Sequence, residues 1–270
     1  MPQAAVNGIH INFADSGAGE PVLLVMGSGS PGKVWNLHQT PFLNRAGYRT
    51  ITFDNRGINT LDADQTAFTL ADMVADTAAL IGRLGIEGCR LVGVSLGAFV
   101  VQELIAAHPD IASQAVLIAT RGRTDTFRAA MAAAEMTLHD SAVGLPPECE
   151  AVMRATQYLS PRTQSSEALI SDWLDLLEFP TKNSVGLRAQ MKLDLMPDRL
   201  SAYQEIKTST LVISFGDDVL TPPHLGKEVA DAIPGSEYRE ISHCGHLGYL
   251  EDPDAVNSEM VRFFGGRDPR

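Results

Sequence analysis

Short runs of apolar residues, separated by amphipathic stretches, dominate the pattern of this chain. Residues 4–13 instead alternate apolar and polar positions around Asn7–Gly8, a pair that favours a tight hairpin turn. Continuous apolar runs are typical of strands covered on both faces, and such runs occupy 22–26, 50–53, 90–94, 115–118, 211–215 and, more weakly, 238–241. Helical patterns lie between the runs, for instance over 70–84 and 99–107. Strands that alternate with helices predict an α/β fold with a doubly wound, mostly parallel sheet.

The alternation of strands and helices is interrupted once, between about residues 121 and 205. This block shows helical patterns, such as 127–138 and 168–177, but no convincing strand. We therefore predict a core formed by residues 1–120 and 206–270, with residues 121–205 inserted as a helical cap. A cap at this place would lie over the carboxyl ends of the strands, where ligands of open α/β sheets bind.

The predicted cap is rich in large apolar side chains. It contains Trp173, Phe179 and five of the nine methionines, which are Met131, Met136, Met153, Met191 and Met196. Taken singly, each is better explained as part of a small core within the cap. Taken together, they predict a soft apolar lid, in which Met131 and Trp173 are candidate substrate contacts.

Charge and composition argue against several classes of function. The chain has 33 acidic and 21 basic residues, and the net charge of −12 disfavours nucleic acids and anionic membranes as partners. Three widely spaced cysteines without a C-x-x-C pair favour a reducing compartment over a disulfide framework or a zinc site. No signal-peptide pattern and no apolar run approaching the ~20 residues of a membrane helix is visible, so we expect a cytoplasmic protein.

The most informative motif is G-V-S-L-G at residues 93–97, where a predicted strand meets a predicted helix. A sharp turn there brings the flanking backbones close together, which requires glycine on both sides and exposes Ser95 at a helix N-terminus. In the alternative interpretation, Ser95 only caps the helix. The motif in this context resembles the nucleophile turn of the α/β-hydrolase superfamily, and the chain is most similar to cap-bearing esterases and acyl-processing enzymes of bacterial biosynthetic pathways. The resemblance covers residues 6–120 and 206–264 and implies an eight-stranded, mostly parallel sheet.

The resemblance also implies the chain order serine, acid, histidine, which leaves two choices to make. In the closing loop of the family the catalytic histidine follows glycine, and this favours His246 over His243. Asp217 and Asp218 both follow the strand after the insertion, and adjacent residues of an extended segment face opposite sides. The family pattern places a proline four residues after the acid, so Pro222 favours Asp218.

A second glycine motif supports a rival hypothesis. Residues 27–32 match G-x-G-x-x-G, and Asp54 ends a strand 22 residues beyond Gly32, as in the dinucleotide site of an NAD(P)-dependent oxidoreductase. Three features weigh against this hypothesis. A hairpin precedes the strand, Asp54 lies in a D-x-R-G turn similar to that of the hydrolases, and the predicted serine, acid and histidine would have no role.

In the hydrolase interpretation, the same glycines let backbone amides face a substrate carbonyl. By position, the amides of Ser28 and Leu96 would form the oxyanion hole. Met26 and Gly27 stand where the family usually has His-Gly, and both are candidate substrate contacts. Trp35 is an equal candidate for the acyl pocket and for packing between helix and sheet.

The motifs and the resemblance together predict a serine-dependent hydrolase or acyltransferase that needs no cofactor and no metal. Ser95 would attack an ester or thioester carbonyl of a largely apolar small molecule, free or bound to a carrier, while Asp218 orients His246 as the base. The alternatives on this fold are perhydrolase or lyase chemistry on the same Ser–His pair, and a non-enzymatic ligand receptor.

Three arginines, Arg121, Arg123 and Arg128, open the predicted cap close to the strand ends. Guanidinium groups there are candidates for holding a substrate carboxylate or the phosphate of a carrier arm. The more common case is a solvated cluster at the entrance of a cap. A monomer and a dimer are both compatible with the sequence.

Overall fold

The sheet that the apolar runs predict is present in the computed structural model, which describes residues 2–58, 67–141, 143–178 and 185–269. Within these residues, eight strands form one sheet in the order β1-β2-β4-β3-β5-β6-β7-β8. The strands are β1 (Gln3–Val6), β2 (Ile9–Gly17), β3 (Glu20–Val25), β4 (Tyr48–Phe53), β5 (Gly88–Val94), β6 (Ala112–Ile118), β7 (Ser209–Phe215) and β8 (Glu237–Ile241). β2 runs antiparallel to both β1 and β4, and all other neighbours are parallel. The prediction of a mostly parallel, eight-stranded sheet is therefore confirmed.

Twelve α-helices and a 3₁₀ helix, Gly32–Leu37, lie in the described ranges. The helices are α1 (Gln39–Arg45), α2 (Leu70–Leu84), α3 (Leu96–Ala107), α4 (Thr126–Asp140), α5 (Pro147–Tyr158), α6 (Pro161–Gln164), α7 (Glu167–Glu178), α8 (Val185–Lys192), α9 (Leu200–Tyr203), α10 (Pro223–Ala232), α11 (Gly248–Glu251) and α12 (Pro253–Phe263). α2 shows how local sequence sets such bounds. Thr69 and Asp72 form a reciprocal capping box at its start, and Gly85 ends it with a φ of 62°.

The two faces of the sheet are covered by separate apolar clusters, as the continuous runs predict. Successive residues of a strand point to opposite faces, so Leu23 and Val25 pack in one cluster while Val22 and Leu24 pack in the other. All four side chains are fully buried. Both faces of the sheet are therefore occupied by the core. A site can form only outside these faces, at the loops that follow the carboxyl ends of the strands.

Between β6 and β7 the described chain forms only helices, α4 to α9, and we refer to this segment as the cap. The cap has a small apolar core of its own, made by Ala151, Ala155, Leu159 and Leu177, and Trp173 packs against it. Phe179, which the sequence places in the predicted lid, lies outside the described residues. None of the described helices combines the length and the apolarity needed to cross a lipid bilayer.

Candidate active site

Ser95 occupies the sharp turn between β5 and α3. Its backbone has a φ of 53° and a ψ of −121°, a conformation that residues other than glycine rarely adopt. The two flanking glycines are required by close contacts, because a Cβ on Gly93 would overlap the carbonyl of Gly97, and a Cβ on Gly97 would overlap the carbonyl of Val25. The turn therefore holds Ser95 above the sheet at the N-terminal end of α3.

A chain of hydrogen bonds runs from Ser95 to a buried carboxylate. The Ser95 Oγ lies 3.0 Å from Nε2 of His246, and Nδ1 of His246 lies 2.8 Å from Oδ2 of Asp218. The three residues follow β5, β8 and β7, whose parallel carboxyl ends meet at one edge of the sheet. An imidazole that bonds a hydroxyl on one side and a carboxylate on the other can take the proton of the hydroxyl.

Asp218 is fixed in its turn by bonds that also favour its charged form. Its Oδ1 accepts the backbone N–H groups of Leu220 and Thr221, at 2.8 Å and 2.9 Å, and its Oδ2 accepts the Thr221 hydroxyl at 2.6 Å. Burial acts to raise the pKa of the carboxyl group, but the neighbouring charge of His246 and the hydrogen bonds from His246 and Thr221 together hold this pKa below its usual value. Asp217 is half-buried, and its backbone N–H bonds the Cys244 carbonyl at 2.9 Å.

The other histidines near the C-terminal end are not part of the hydrogen bonds described above for Ser95, His246 and Asp218. His243 and His224 are both exposed, and His243 adopts a φ of 60°. The structure thus brings Ser95, His246 and Asp218 together, and leaves His243 and His224 on the surface.

The loop that carries His246 is fixed by Glu251, a role that the sequence did not reveal. Glu251 Oε2 accepts the backbone N–H of Gly245 at 2.6 Å, and Oε1 accepts the N–H and the hydroxyl of Ser160, at 3.0 Å and 2.8 Å. Ser160 belongs to the cap and is fully buried. The carboxylate therefore joins the histidine loop to the cap.

The two predicted oxyanion donors lie in different segments, Ser28 in the loop after β3 and Leu96 at the start of α3. Neither Ser28 nor Leu96 uses its backbone N–H in a loop or cap hydrogen bond within the described part of the chain, so both amides are available to an oxyanion. The acidic residue of the dinucleotide hypothesis has a different role, because Asp54 Oδ1 accepts the N–H of Gly32 at 2.9 Å. A Cβ on Gly32 would overlap the carbonyl of Phe53. Gly32 is thus explained by close backbone packing, and Gly29 by its positive φ of 71°.

A cavity of about 430 Å³ lies between the core and the cap, directly above Ser95. Its core side is formed by Met26, Gly27, Ser28, Ser95 and His246, and its cap side includes Met153, Met191, Tyr158 and Leu187. Of the residues that the structure describes, four large apolar ones both line the cavity and are exposed to solvent, namely Leu138, Val143, Met153 and Leu176. We call these four residues the rim, and they make an apolar entrance from the surface.

Three of the predicted substrate contacts lie elsewhere. Trp35 is fully buried in the core, where its ring centroid is 5.4 Å from that of Tyr249. Trp173 packs in the small core of the cap, and Met131 lies half-buried on α4. None of these three is among the described residues that line the cavity.

The arginines at the start of the cap belong to ion pairs. Arg121 bonds Oδ1 of Asp194 at 3.2 Å, and Arg128 bonds the other carboxylate oxygen at 2.7 Å as well as Glu135 at 3.0 Å. All four line the cavity, whereas Arg123 pairs with Glu228 outside it. The two guanidinium groups are balanced by two carboxylates, and the binding of a substrate carboxylate by these arginines stays a prediction.

The eight-stranded sheet, the sharp serine turn and the helical insertion after β6 are those of an α/β hydrolase. The sequence profile of the alpha/beta hydrolase family matches residues 22–259, and the chain belongs to this family. The resemblance inferred from the G-x-S-x-G turn is therefore confirmed.

Two relatives cover almost the whole chain. A Mycobacterium tuberculosis protein named as a non-heme bromoperoxidase, BpoC, is 46% identical over 257 residues, which are 95% of this chain and 98% of that protein. Its crystal structure superposes with a TM-score of 0.91 over 95% of this chain and 96% of that one. An Escherichia coli protein named as a carbamate hydrolase, RutD, is 28% identical over 247 residues, or 89% of each chain.

A thermophilic esterase from Thermogutta terrifontis shares the fold at lower identity. Its structure gives a TM-score of 0.82 with 22% identity, and 98% of each chain is covered. At this level of identity, the likeness concerns the architecture of the sheet and its helices.

Proposed function

We propose that this protein is a serine hydrolase that cleaves an ester, thioester or related acyl bond of a largely apolar small molecule. The observation that carries the proposal is the hydrogen-bonded relay of Ser95, His246 and Asp218 at the floor of a cavity. The rim of apolar residues supports an apolar substrate, because burial of each methylene group contributes ~0.8 kcal/mol to binding.

The reaction would proceed through an acyl-enzyme. His246 Nε2 takes the proton of Ser95 Oγ as the oxygen attacks the carbonyl carbon, and the oxyanion that forms is bound by the amides of Ser28 and Leu96. His246 then returns the proton to the leaving group as the tetrahedral intermediate collapses. Water, activated by the same imidazole, hydrolyses the acyl-serine. Asp218, ionised because of its lowered pKa, stabilises the imidazolium at each stage.

A matched pair of histidine variants tests the proposal. We expect His246→Asn to lower kcat on p-nitrophenyl esters by on the order of 10³-fold or more, because Ser95 loses its base. His243→Asn changes an exposed residue of the same loop, and asparagine tolerates its positive φ, so activity should stay within about twofold of wild type. A fluorophosphonate probe should label Ser95, as located by peptide mass spectrometry. Hydrolysis that is unaffected by His246→Asn, or labelling at another serine, would refute the assignment.

The name of the 46% identical relative supports a second candidate activity. Hydrogen peroxide in place of water would release the acyl group from Ser95 as a peracid. The peracid would then oxidise bromide to hypobromous acid and be reduced to the carboxylic acid. Bromination of monochlorodimedone in the presence of an acyl donor, peroxide and bromide tests this activity. It should disappear in Ser95→Ala, and bromination that persists in this variant would exclude the acyl-enzyme route.

A further inference from the structure

A glutamine of the cap is bonded to the loop that carries Ser28. Gln190 lies on α8 and is 1% exposed. Its Oε1 accepts the backbone N–H of Gly29 at 2.8 Å and the hydroxyl of Ser28 at 3.3 Å, and its Nε2 donates to the carbonyl of Arg56 at 2.7 Å. Within the described ranges, all hydrogen bonds of this side chain therefore go to loops of the core.

Close backbone contacts fix α8 at the same place. A Cβ on Gly186 would overlap the carbonyl of Gly57, and a Cβ on Gly57 would lie 2.9 Å from the carbonyl oxygen of Gly186. Leu187 packs close to Gly29, since a Cβ on Gly29 would lie 3.2 Å from Cδ1 of Leu187. The start of α8 thus rests directly on two core loops, which sets the distance between Gln190 and the Ser28 loop.

An oxyanion hole stabilises a developing charge only if its donors are already oriented. Glycines flank Ser28, and peptide groups beside glycine rotate easily unless a hydrogen bond holds them. Gln190 Oε1 accepts the N–H of Gly29, the donor next to that of Ser28, and the Ser28 amide has no hydrogen-bond acceptor within the described part of the chain. The hydrogen bond to Gly29 therefore restrains the peptide that follows Ser28.

We propose that Gln190 is a positioning residue of the oxyanion hole, which couples the docking of the cap to transition-state stabilisation. The inference rests on the proposed serine hydrolase function. Loss of the Gln190 hydrogen bonds should therefore lower kcat and the affinity for tetrahedral species, and should change the affinity for planar ligands little.

Gln190→Met tests this role, because methionine has a similar volume and forms none of the three hydrogen bonds. We expect kcat on a p-nitrophenyl ester to fall ~10–100-fold, somewhat less than for the loss of an oxyanion donor, with KM within about threefold. A trifluoromethyl ketone forms a tetrahedral adduct with Ser95, and its inhibition constant should rise by the same factor as kcat falls. The carboxylic acid product is planar and should bind with unchanged affinity.

Arg188→Gln is the matched control on the same helix. Arg188 is paired with Asp140 at 2.5 Å, so both partners lie in the cap, and the substitution leaves the core loops untouched. We expect kcat and ketone inhibition to stay within about twofold of wild type. Gln190→Asn keeps the carboxamide but is one methylene shorter, and we expect intermediate losses of both quantities.

The ratio of ketone to acid affinity decides the outcome, because it does not depend on the fraction of protein that is folded. A reduced ratio in Gln190→Met, graded through Gln190→Asn, supports the positioning role. An unchanged ratio, with or without a lower melting temperature, overturns it. If wild-type protein neither hydrolyses esters nor reacts with the ketone, the proposed function itself fails, and this result is distinct from an active enzyme that is insensitive to Gln190.

Discussion

The backbone at Ser95 is held in a conformation that carries a measurable cost in stability. At a φ of 53° and a ψ of −121°, a residue with a Cβ is strained by about 1–3 kcal/mol, whereas glycine adopts positive φ freely. Ser95→Ala removes the hydroxyl and keeps the strain, because alanine retains the Cβ. Ser95→Gly removes the hydroxyl and the strain together. A comparison of the two inactive variants therefore isolates the strain.

The expected difference follows from two opposing contributions. Relief of strain stabilises the glycine variant by about 1–3 kcal/mol, and the greater freedom of glycine in the unfolded chain offsets about 0.5–1 kcal/mol of this gain. The net result is a stabilisation of about 1 kcal/mol relative to alanine. For a chain of this length, such a difference raises the melting temperature by ~2–4 °C.

Thermal unfolding followed by circular dichroism at one pH and protein concentration measures this shift. Ala75→Gly, at an exposed position in the interior of α2, is the control at an ordinary helical position, where glycine should destabilise by about 1 kcal/mol. If Ser95→Gly melts at or below the temperature of Ser95→Ala, the strain at Ser95 does not exceed the offset of about 0.5–1 kcal/mol, and the expected stabilisation is wrong.

Three other perturbations have defined outcomes. Asp218→Asn should lower kcat on the order of 10³-fold or more, because His246 is left in the wrong tautomer, and Asp217→Asn should have little effect. Steady-state kinetics measures both losses, and the reverse ranking would assign the role to Asp217. Burial raises the pKa of the thiols of Cys89 and Cys244 to about 12, so their thiolates are scarce at pH 8. A thiol reagent at pH 8 should therefore label only the exposed Cys149 in the native protein, and all three cysteines after unfolding. Rapid labelling of all three cysteines in the native protein would contradict this expectation. On p-nitrophenyl esters, kcat/KM should rise roughly fourfold per methylene from acetate to medium acyl chains, and a strict preference for acetate would contradict the proposal of an apolar acyl group.

Most of the sheet could be predicted because burial on both faces leaves a continuous apolar run in the sequence. Even the weak run 238–241 lies within an observed strand, Glu237–Ile241. Ser95 could be selected because a sharp turn flanked by glycines is a local feature, whereas Asp218 and His246 were selected from the pattern that the resemblance to α/β hydrolases implies. Thr221 also had a local signal, since a hydroxyl three residues after an aspartate is well placed to bond its carboxylate.

The contacts between the cap and the core could not be predicted in this way. Gln190 bonds residues 161 and 134 positions away, and a glutamine within a helix carries no local sign of such partners. Trp35 had two equal interpretations, because an apolar aromatic residue suits a pocket wall and a buried core alike. Only the three-dimensional arrangement places it against Tyr249.

The carboxylate of Glu251 has a consequence for how this enzyme can change over evolutionary time. Ser160 and Gly245 are donors to a single side chain, although one belongs to the cap and the other precedes His246. Exchange of the cap for an unrelated helical segment would leave a charged group without half of its partners. We therefore expect cap and core to change together, and new specificities to arise from substitutions along the cavity wall.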